Sequence, residues 1–311
     1  MDKKPLVSII IPVYNGSNYM REAIDSALAQ TYENVEIIVV NDGSADDTDE
    51  IAMSYGNQIR YFKKENGGVS SALNLGIKEM RGEYFSWLSH DDRYTPNKIE
   101  AQISAVSACE EEDLICYCNS AQIDKDNNVI KHSKKNKFLN SGINPWNRAL
   151  LALIRSSCFS GCALLIPKRA FIDAGFFDEQ LKFAQDFLMW MRVLLKEYNV
   201  LYVQDECVQS RIHSKQGTQT AKDVFIKDSS IFGKLMFNPL ELVSSRRENY
   251  IYYMTLYFAK NNCTEALELY RKKGKFSLLQ RFRITMLSSY GKIRPTIRKM
   301  YYRIFRHIKT K

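Results

Sequence analysis

The sequence predicts an α/β fold: a mainly parallel, mixed sheet between helices, followed by a helical C-terminal extension. Three observations carry that prediction. Over the first hundred residues, short runs rich in Val, Ile and aromatics alternate with amphipathic stretches, the pattern of strands buried on both faces and joined by helices. Three of those strand-like runs end in polar loops containing glycine or paired aspartates. After about residue 215 the β-branched runs stop and helical periodicity takes over.

LVSIII (6–11) reads as a strand, NYMREAIDSALAQ (18–30) as a helix and VEIIVV (35–40) as a second strand. A helix near 46–55, a strand at 59–63, a helix over 69–80 and the strand YFSWL (84–88) follow. In parallel sheets of this kind ligands bind beyond the carboxyl ends of the strands. The segments Pro12-Val13-Tyr14-Asn15-Gly16, Asn41-Asp42-Gly43-Ser44 and Ser89-His90-Asp91-Asp92 are therefore expected to converge on one edge. From about 114 the pattern is more mixed: strand LICYCNSAQI, a turn at 124–128, the basic loop HSKKNK and a helix beginning near Pro145. Strand ALLI, helix FLMWMRVLLKE (187–197) and two strands near 199–203 and 207–212 complete a predicted first domain, 1–215. The second, 216–311, carries amphipathic runs near 239–260 and 263–273 and two basic segments split by Pro295.

A chain of 311 residues exceeds the size at which one core stops growing, so about two units are expected. With 45% hydrophobic and 25% charged residues the composition is that of a globular protein. The longest apolar runs, VSIIIPVY and CALLIP, are far shorter than the roughly 20 residues that cross a bilayer. MDKKPLVSIII lacks a small-residue cleavage site, which argues against a signal peptide and for a cytoplasmic location. Seven cysteines without a CxxC pair argue against a disulfide framework or a zinc ribbon, and for reduced, mostly buried thiols.

The net charge of +9 is concentrated at one end, because residues 275–311 hold eleven Lys or Arg and no Asp or Glu. The remainder has 33 basic against 35 acidic residues. Within the tail, Ile293, Ile297, Met300, Tyr301, Ile304 and Ile308 recur at helical spacing between basic residues, as in a helix lying on an anionic membrane surface. The same stripe also suits a basic helix packed on the body, and its Phe and Tyr among arginines suit an RNA-binding arm.

VSIIIPVYNG, VVNDGSADDT, NGGVSSALNLGI, WLSHDDRYTP and FAQDFLMWMRV, in this order across roughly residues 5–215, resemble a family 2 glycosyltransferase of the bacterial surface-polysaccharide type. The resemblance implies the GT-A fold, a Rossmann-like nucleotide-sugar-binding architecture. It implies a metal-dependent, inverting transferase that takes a sugar from a nucleotide-sugar donor, a UDP-sugar, to a lipid-linked saccharide or glycan acceptor. Lipid-linked acceptors favour the membrane reading of the tail, at the inner face of the cell membrane, with no nucleic acid partner expected.

Residue by residue, Pro12, Tyr14, Asp42, Gly161 and Asp91 match the family's donor-binding positions. Asp42, at a strand terminus before Gly43, can accept a hydrogen bond from a base-ring N–H while Tyr14 lies against the base. It equally suits an ordinary turn or helix cap, and Tyr14 equally suits a strand end at the core's edge. Asn66-Gly67-Gly68 offers pliant backbone at a helix start, where N–H groups can meet a phosphate.

Asp91 and Asp92 are adjacent like charges, which a divalent cation, Mn²⁺ or Mg²⁺, held between protein and diphosphate would offset. Capping of the following helix is the other reading of the pair. His213 in SRIHSKQGT resembles a late histidine that completes the family's metal site. Asp186 resembles the second acid of the family's Glu-Asp motif and is the expected catalytic base, drawing the proton from an acceptor hydroxyl. Trp190 reads as core, and Arg192 is expected to pair with an acid.

Three positions depart from the family pattern. Ser89 stands where relatives carry an Asp attributed to a ribose contact, Leu73 where a basic residue is frequent, and Gln185 where the motif has Glu. They leave open a catalytically impaired, nucleotide-sugar-binding assembly protein at the membrane. Nucleotidyl transfer would need basic residues in the first glycine loop, and PVYNGSN has none.

Overall fold

β1 (Val7–Val13) is buried at every residue: neighbouring strands pair with both of its edges, and two helices pack against it. In the computed structural model, which describes residues 4–133, 136–213, 222–245 and 249–289, β1 pairs in parallel with β2 (Val35–Asn41) and β4 (Tyr84–Trp87). β3 (Arg60–Lys63) extends the parallel set beyond β2. Parallel neighbours need crossover connections, which α1 (Met20–Leu28), α2 (Thr48–Met53) and α3 (Val69–Glu79) supply. α3 lies close on β1 because Gly76 has no side chain: a Cβ there would sit 2.5 Å from Ile10 Cγ2. The carboxyl ends of these four strands share one edge.

Past β4 the sheet turns mixed. β9 (Leu164–Pro167) runs antiparallel to both β4 and β6 (Ile115–Ile123), and β10 (Val200–Arg211) runs parallel to β6. β5 (Arg93–Tyr94) closes the order β3-β2-β1-β4-β9-β6-β10-β5, with β7 (Val129–Lys131) on β6 and β8 (Gly142–Asn144) on β10. α4 (Lys98–Ser107), α5 (Trp146–Ser156), α6 (Arg169–Ala174) and α7 (Gln185–Leu194) connect these strands. The two short strands expected near 199–203 and 207–212 are one strand. Its register shifts at Tyr202/Glu206 and Glu206/Val208 absorb the polar Gln204-Asp205-Glu206 segment that breaks the apolar pattern.

The chain divides into two compact units, Met1–Thr220 and Ala221–Lys311. The second contains α8 (Lys222–Val243), α9 (Tyr250–Asn261), α10 (Thr264–Lys273) and a further helix, α11, over 278–289. The continuous run expected over 239–260 is broken: α8 carries Pro239 internally and ends at Val243, and Asn249 starts α9 by accepting from the Tyr252 N–H at 2.8 Å. Tyr270 anchors this unit, edge-on to Phe237 and Phe258, with its hydroxyl donating to the Gly233 carbonyl. The stripe from Ile293 to Ile308 lies outside the described residues. All seven cysteines are free thiols, five of them buried. Among the described residues no helix is long and apolar enough to cross a membrane.

Candidate active site

The three predicted loops do meet. The Asp42 N–H donates to the Val13 carbonyl at 2.8 Å, and the Ala45 N–H donates to Asn15 Oδ1 at 2.9 Å, tying the β1 loop to the β2 loop. Asn15 adopts φ +49°, a left-handed conformation that Asn tolerates better than most residues. The third loop joins through Leu88, whose N–H donates to the Ile10 carbonyl, and through His90, whose ring donates to the Pro12 carbonyl. Burial pulls the His90 pKa below the usual imidazole value.

At this edge Asp91 and His213 come together, with Oδ2 3.0 Å from Nε2 and both side chains half-buried. The Tyr19 ring packs on the imidazole at a centroid distance of 5.3 Å. Asp92 has other partners. Its Oδ1 accepts from the Arg211 N–H at 2.9 Å, and the Cys162 thiol lies 3.4 Å from its Oδ2. Burial, reinforced by the neighbouring Asp91 charge, pushes the Asp92 pKa up to about 7. The Asp92 side chain thus ties its loop to the end of β10 and to Cys162.

Arg211, which the sequence reading passed over, holds the arrangement. It is fully buried, its Nε donates to the Asp91 carbonyl at 2.9 Å, and its guanidinium reaches Glu22, Asn127 and the carbonyls of Asp124 and Lys125. Its Cζ sits 4.4 Å from the centre of the same Tyr19 ring that packs on His213.

Asp42 is buried and already accepts three hydrogen bonds: Gly67 N–H at 3.0 Å, Gly68 N–H at 2.7 Å and Lys64 Nζ at 2.8 Å. The glycine N–H groups expected to face a phosphate are therefore engaged by Asp42. Tyr14 is exposed and Pro12 is buried within β1.

Asp186 opens α7, half-buried, with Oδ1 accepting from the Phe187 N–H at 2.6 Å. Removal from water raises its pKa to about 6. Gln185 beside it is buried, and its Oε1 has no hydrogen-bond partner among the described residues. Trp190 on the same helix is core, edge-on to Phe177, which is itself edge-on to Trp87 at the end of β4. This aromatic chain ties the Asp186 helix to the strand that leads into Asp91. Gly161 sits on that chain, where a Cβ would fall 2.3 Å from Trp87 Cε3. Arg192 pairs with Asp178 at 3.3 Å. Of the departures, Ser89 hydrogen-bonds to Cys162 Sγ through both its N–H and its hydroxyl, and Leu73 is fully buried.

Residues 8–175 match the family model described as glycosyl transferase family 2. The chain belongs to that family. An uncharacterized glycosyltransferase of Rickettsia typhi is 43% identical over 308 residues, covering 96% of this chain and 95% of that protein. Another, from Rickettsia felis, is 52% identical over 217 residues, which make up 69% of this chain but 35% of that protein. Among solved structures, S. aureus TarS 1-349 in complex with UDP-GlcNAc matches with a TM-score of 0.66 at 17% identity, covering 91% of this chain and 79% of that one. The mannosyltransferase PcManGT from Pyrobaculum calidifontis, in complex with GDP-Man and Mn²⁺, matches with a TM-score of 0.56 at 15% identity, covering 92% and 85%. This family 2 chain therefore has the GT-A fold, and its enzyme class is glycosyl transfer.

Among the described residues no group of three or more His, Cys, Asp or Glu side chains is arranged to hold a metal ion. Asp91 and His213 nevertheless fit one shared with a ligand. Carboxylate oxygen suits Mg²⁺ and Mn²⁺, imidazole is a common ligand, and such ions take few protein ligands when phosphates complete the shell.

Proposed function

We propose that this family 2 member is a metal-dependent, inverting glycosyltransferase. It moves a sugar from a UDP-sugar to a hydroxyl of a lipid-linked saccharide or glycan, in cell-surface glycan synthesis at the inner face of the membrane. The observation that carries the reading is the Asp91–His213 pair at the shared edge of β1, β2 and β4. The UDP-GlcNAc and GDP-Man complexes of the two structural neighbours support a nucleotide sugar, and the Mn²⁺ of one supports a metal.

Asp91 and His213 would hold the cation, which supplies Lewis-acid neutralisation of the leaving diphosphate. Asp92, Arg211 and Cys162 keep that loop in place from behind. Asp42 and Tyr14 receive the base, and Gly161, whose backbone packs directly against the Trp87 ring, lies beside the donor sugar. Asp186, ionised at neutral pH with its pKa near 6, takes the proton of the acceptor hydroxyl. The freed oxygen attacks the anomeric carbon opposite the diphosphate, so configuration inverts.

A panel of nucleotide sugars, incubated with Mn²⁺ and a membrane-lipid extract, tests the reading through released nucleotide and product mass. A UDP-sugar is expected to turn over and Asp186→Asn to stop it. UDP affinity without transfer to any lipid would replace this reading with a membrane-associated assembly protein, consistent with the changes at Ser89, Leu73 and Gln185. No binding at all would sink both.

A further inference from the structure

On α11 (278–289), Leu278, Leu279, Phe282 and Met286 are exposed at 88%, 77%, 64% and 58%. At 3.6 residues per turn the four fall within an arc of about 100°. Ile284, 2% exposed, lies on the opposite side of the helix. The helix therefore has its own packing anchor, and the exposed arc is not its core stripe. Single exposed leucines need no explanation, but a contiguous apolar face does. Arg281 and Arg283 bracket the arc, one on each side, with Arg281 Nε donating to the Phe276 carbonyl at 3.2 Å.

The sequence continues with the same chemistry, since 275–311 has eleven basic residues and no acidic one. An RNA would engage the arginines but has no use for Leu278, Leu279 and Met286. A protein groove would cover the apolar arc but does not call for one-signed charge over the whole segment. An anionic lipid surface matches both, because leucine, phenylalanine and methionine enter the acyl boundary while flanking arginines extend to the headgroup phosphates.

We propose that this face of α11 docks the chain onto an anionic membrane. The proposal rests on the membrane-face reading above for its setting, and its binding test needs no sugar transfer. The full-length chain is sedimented with phosphatidylcholine vesicles, with and without phosphatidylglycerol. Binding is expected only with phosphatidylglycerol, and to fall by at least roughly tenfold when Leu278, Leu279, Phe282 and Met286 are all changed to Ser. Changing Arg281 and Arg283 to Gln keeps the apolar arc and is expected to weaken binding and flatten its salt dependence.

Undiminished binding by the Ser variant would overturn the proposal, as would equal wild-type binding to neutral vesicles. So would loss of self-association or of RNA binding, in place of vesicle binding, in that variant. A wild-type chain that transfers sugar but ignores vesicles defeats this inference alone. Vesicle binding without any donor turnover defeats the functional reading alone.

Discussion

Asp91 Oδ2 and His213 Nε2 meet at 3.0 Å although 122 positions separate them in the chain. The contact joins the loop after β4 to the end of β10. If the pair holds the cation, Asp91→Asn should lower kcat/KM by about 10³-fold, the several kcal/mol that Lewis-acid stabilisation supplies. His213→Ala should cost less, about 10–100-fold, and both should weaken Mn²⁺ binding measured by electron paramagnetic resonance. Unchanged Mn²⁺ affinity in both variants would remove the metal role from this pair.

If Asp186 is the base, it should set a pH limb. Activity should rise as pH increases through about 6, where the carboxyl ionises, and Asp186→Asn should lose about 10²–10⁴-fold together with that limb. Stability should move the other way. The folded pKa lies above the unfolded value, so the folded state holds the proton more tightly and wild-type stability falls as pH rises from about 4 to about 6. Above that window Asp186→Asn should be more stable than wild type by about 1–3 kcal/mol. Urea unfolding at two pH values distinguishes these outcomes.

Arg211 should matter to both folding and metal binding. Arg211→Met removes every donor its guanidinium gives to Glu22, Asn127 and three backbone carbonyls, and should cost about 3–5 kcal/mol. Arg211→Lys keeps the charge without the planar fork and should recover only part of that loss. At temperatures where the Lys variant remains folded, its Mn²⁺ affinity should still be about 10–100-fold weaker, as for other residues that orient ligands from behind. Wild-type Mn²⁺ affinity in that variant would confine Arg211 to a packing role.

Lys98 points to a stabilising substitution. It is fully buried, with Nζ donating to Ser86 Oγ at 2.6 Å and lying 4.2 Å from the centre of the Tyr94 ring. Burial drives its pKa down, partly countered by the thiols of Cys118, Cys162, Cys207 and Cys116. Lys98→Met keeps the stem and leaves Ser86 bonded to the Tyr94 hydroxyl. Its melting temperature should exceed wild type, by roughly 2–4 °C for each kcal/mol relieved. The wild-type penalty is full below the folded pKa and fades as pH climbs toward the unfolded lysine value, so the gain should shrink in alkali. A gain independent of pH would show that charge burial is not its cause.

The βα alternation made β1 to β4 legible, because strands buried on both faces read as unbroken apolar runs. β10 reads as two strands in the sequence because Asp205 and Glu206 interrupt its pattern, and only pairing with β6 reveals the irregular register. The amphipathic pattern near 239–260 reads through the break between α8 and α9, where Asn249 caps the new helix. Asp91 and His213 could be nominated from their motifs. Arg211 could not, since its partners come from α1, the turn before β7 and the Asp91 loop, which no local pattern connects.

The hold of Asp42 on Gly67, Gly68 and Lys64 bears on which nucleobase the proposed donor site would prefer. A carboxylate offers about four lone-pair positions, and among the described residues three donors already occupy that of Asp42. One position is left. A uracil ring presents a single N–H, which would match that one position. Guanine presents its ring N–H and exocyclic amine side by side, and a paired contact would have to evict Lys64 or a glycine amide. Selectivity for the base would then follow from a count of unfilled acceptor sites rather than from the shape of the pocket.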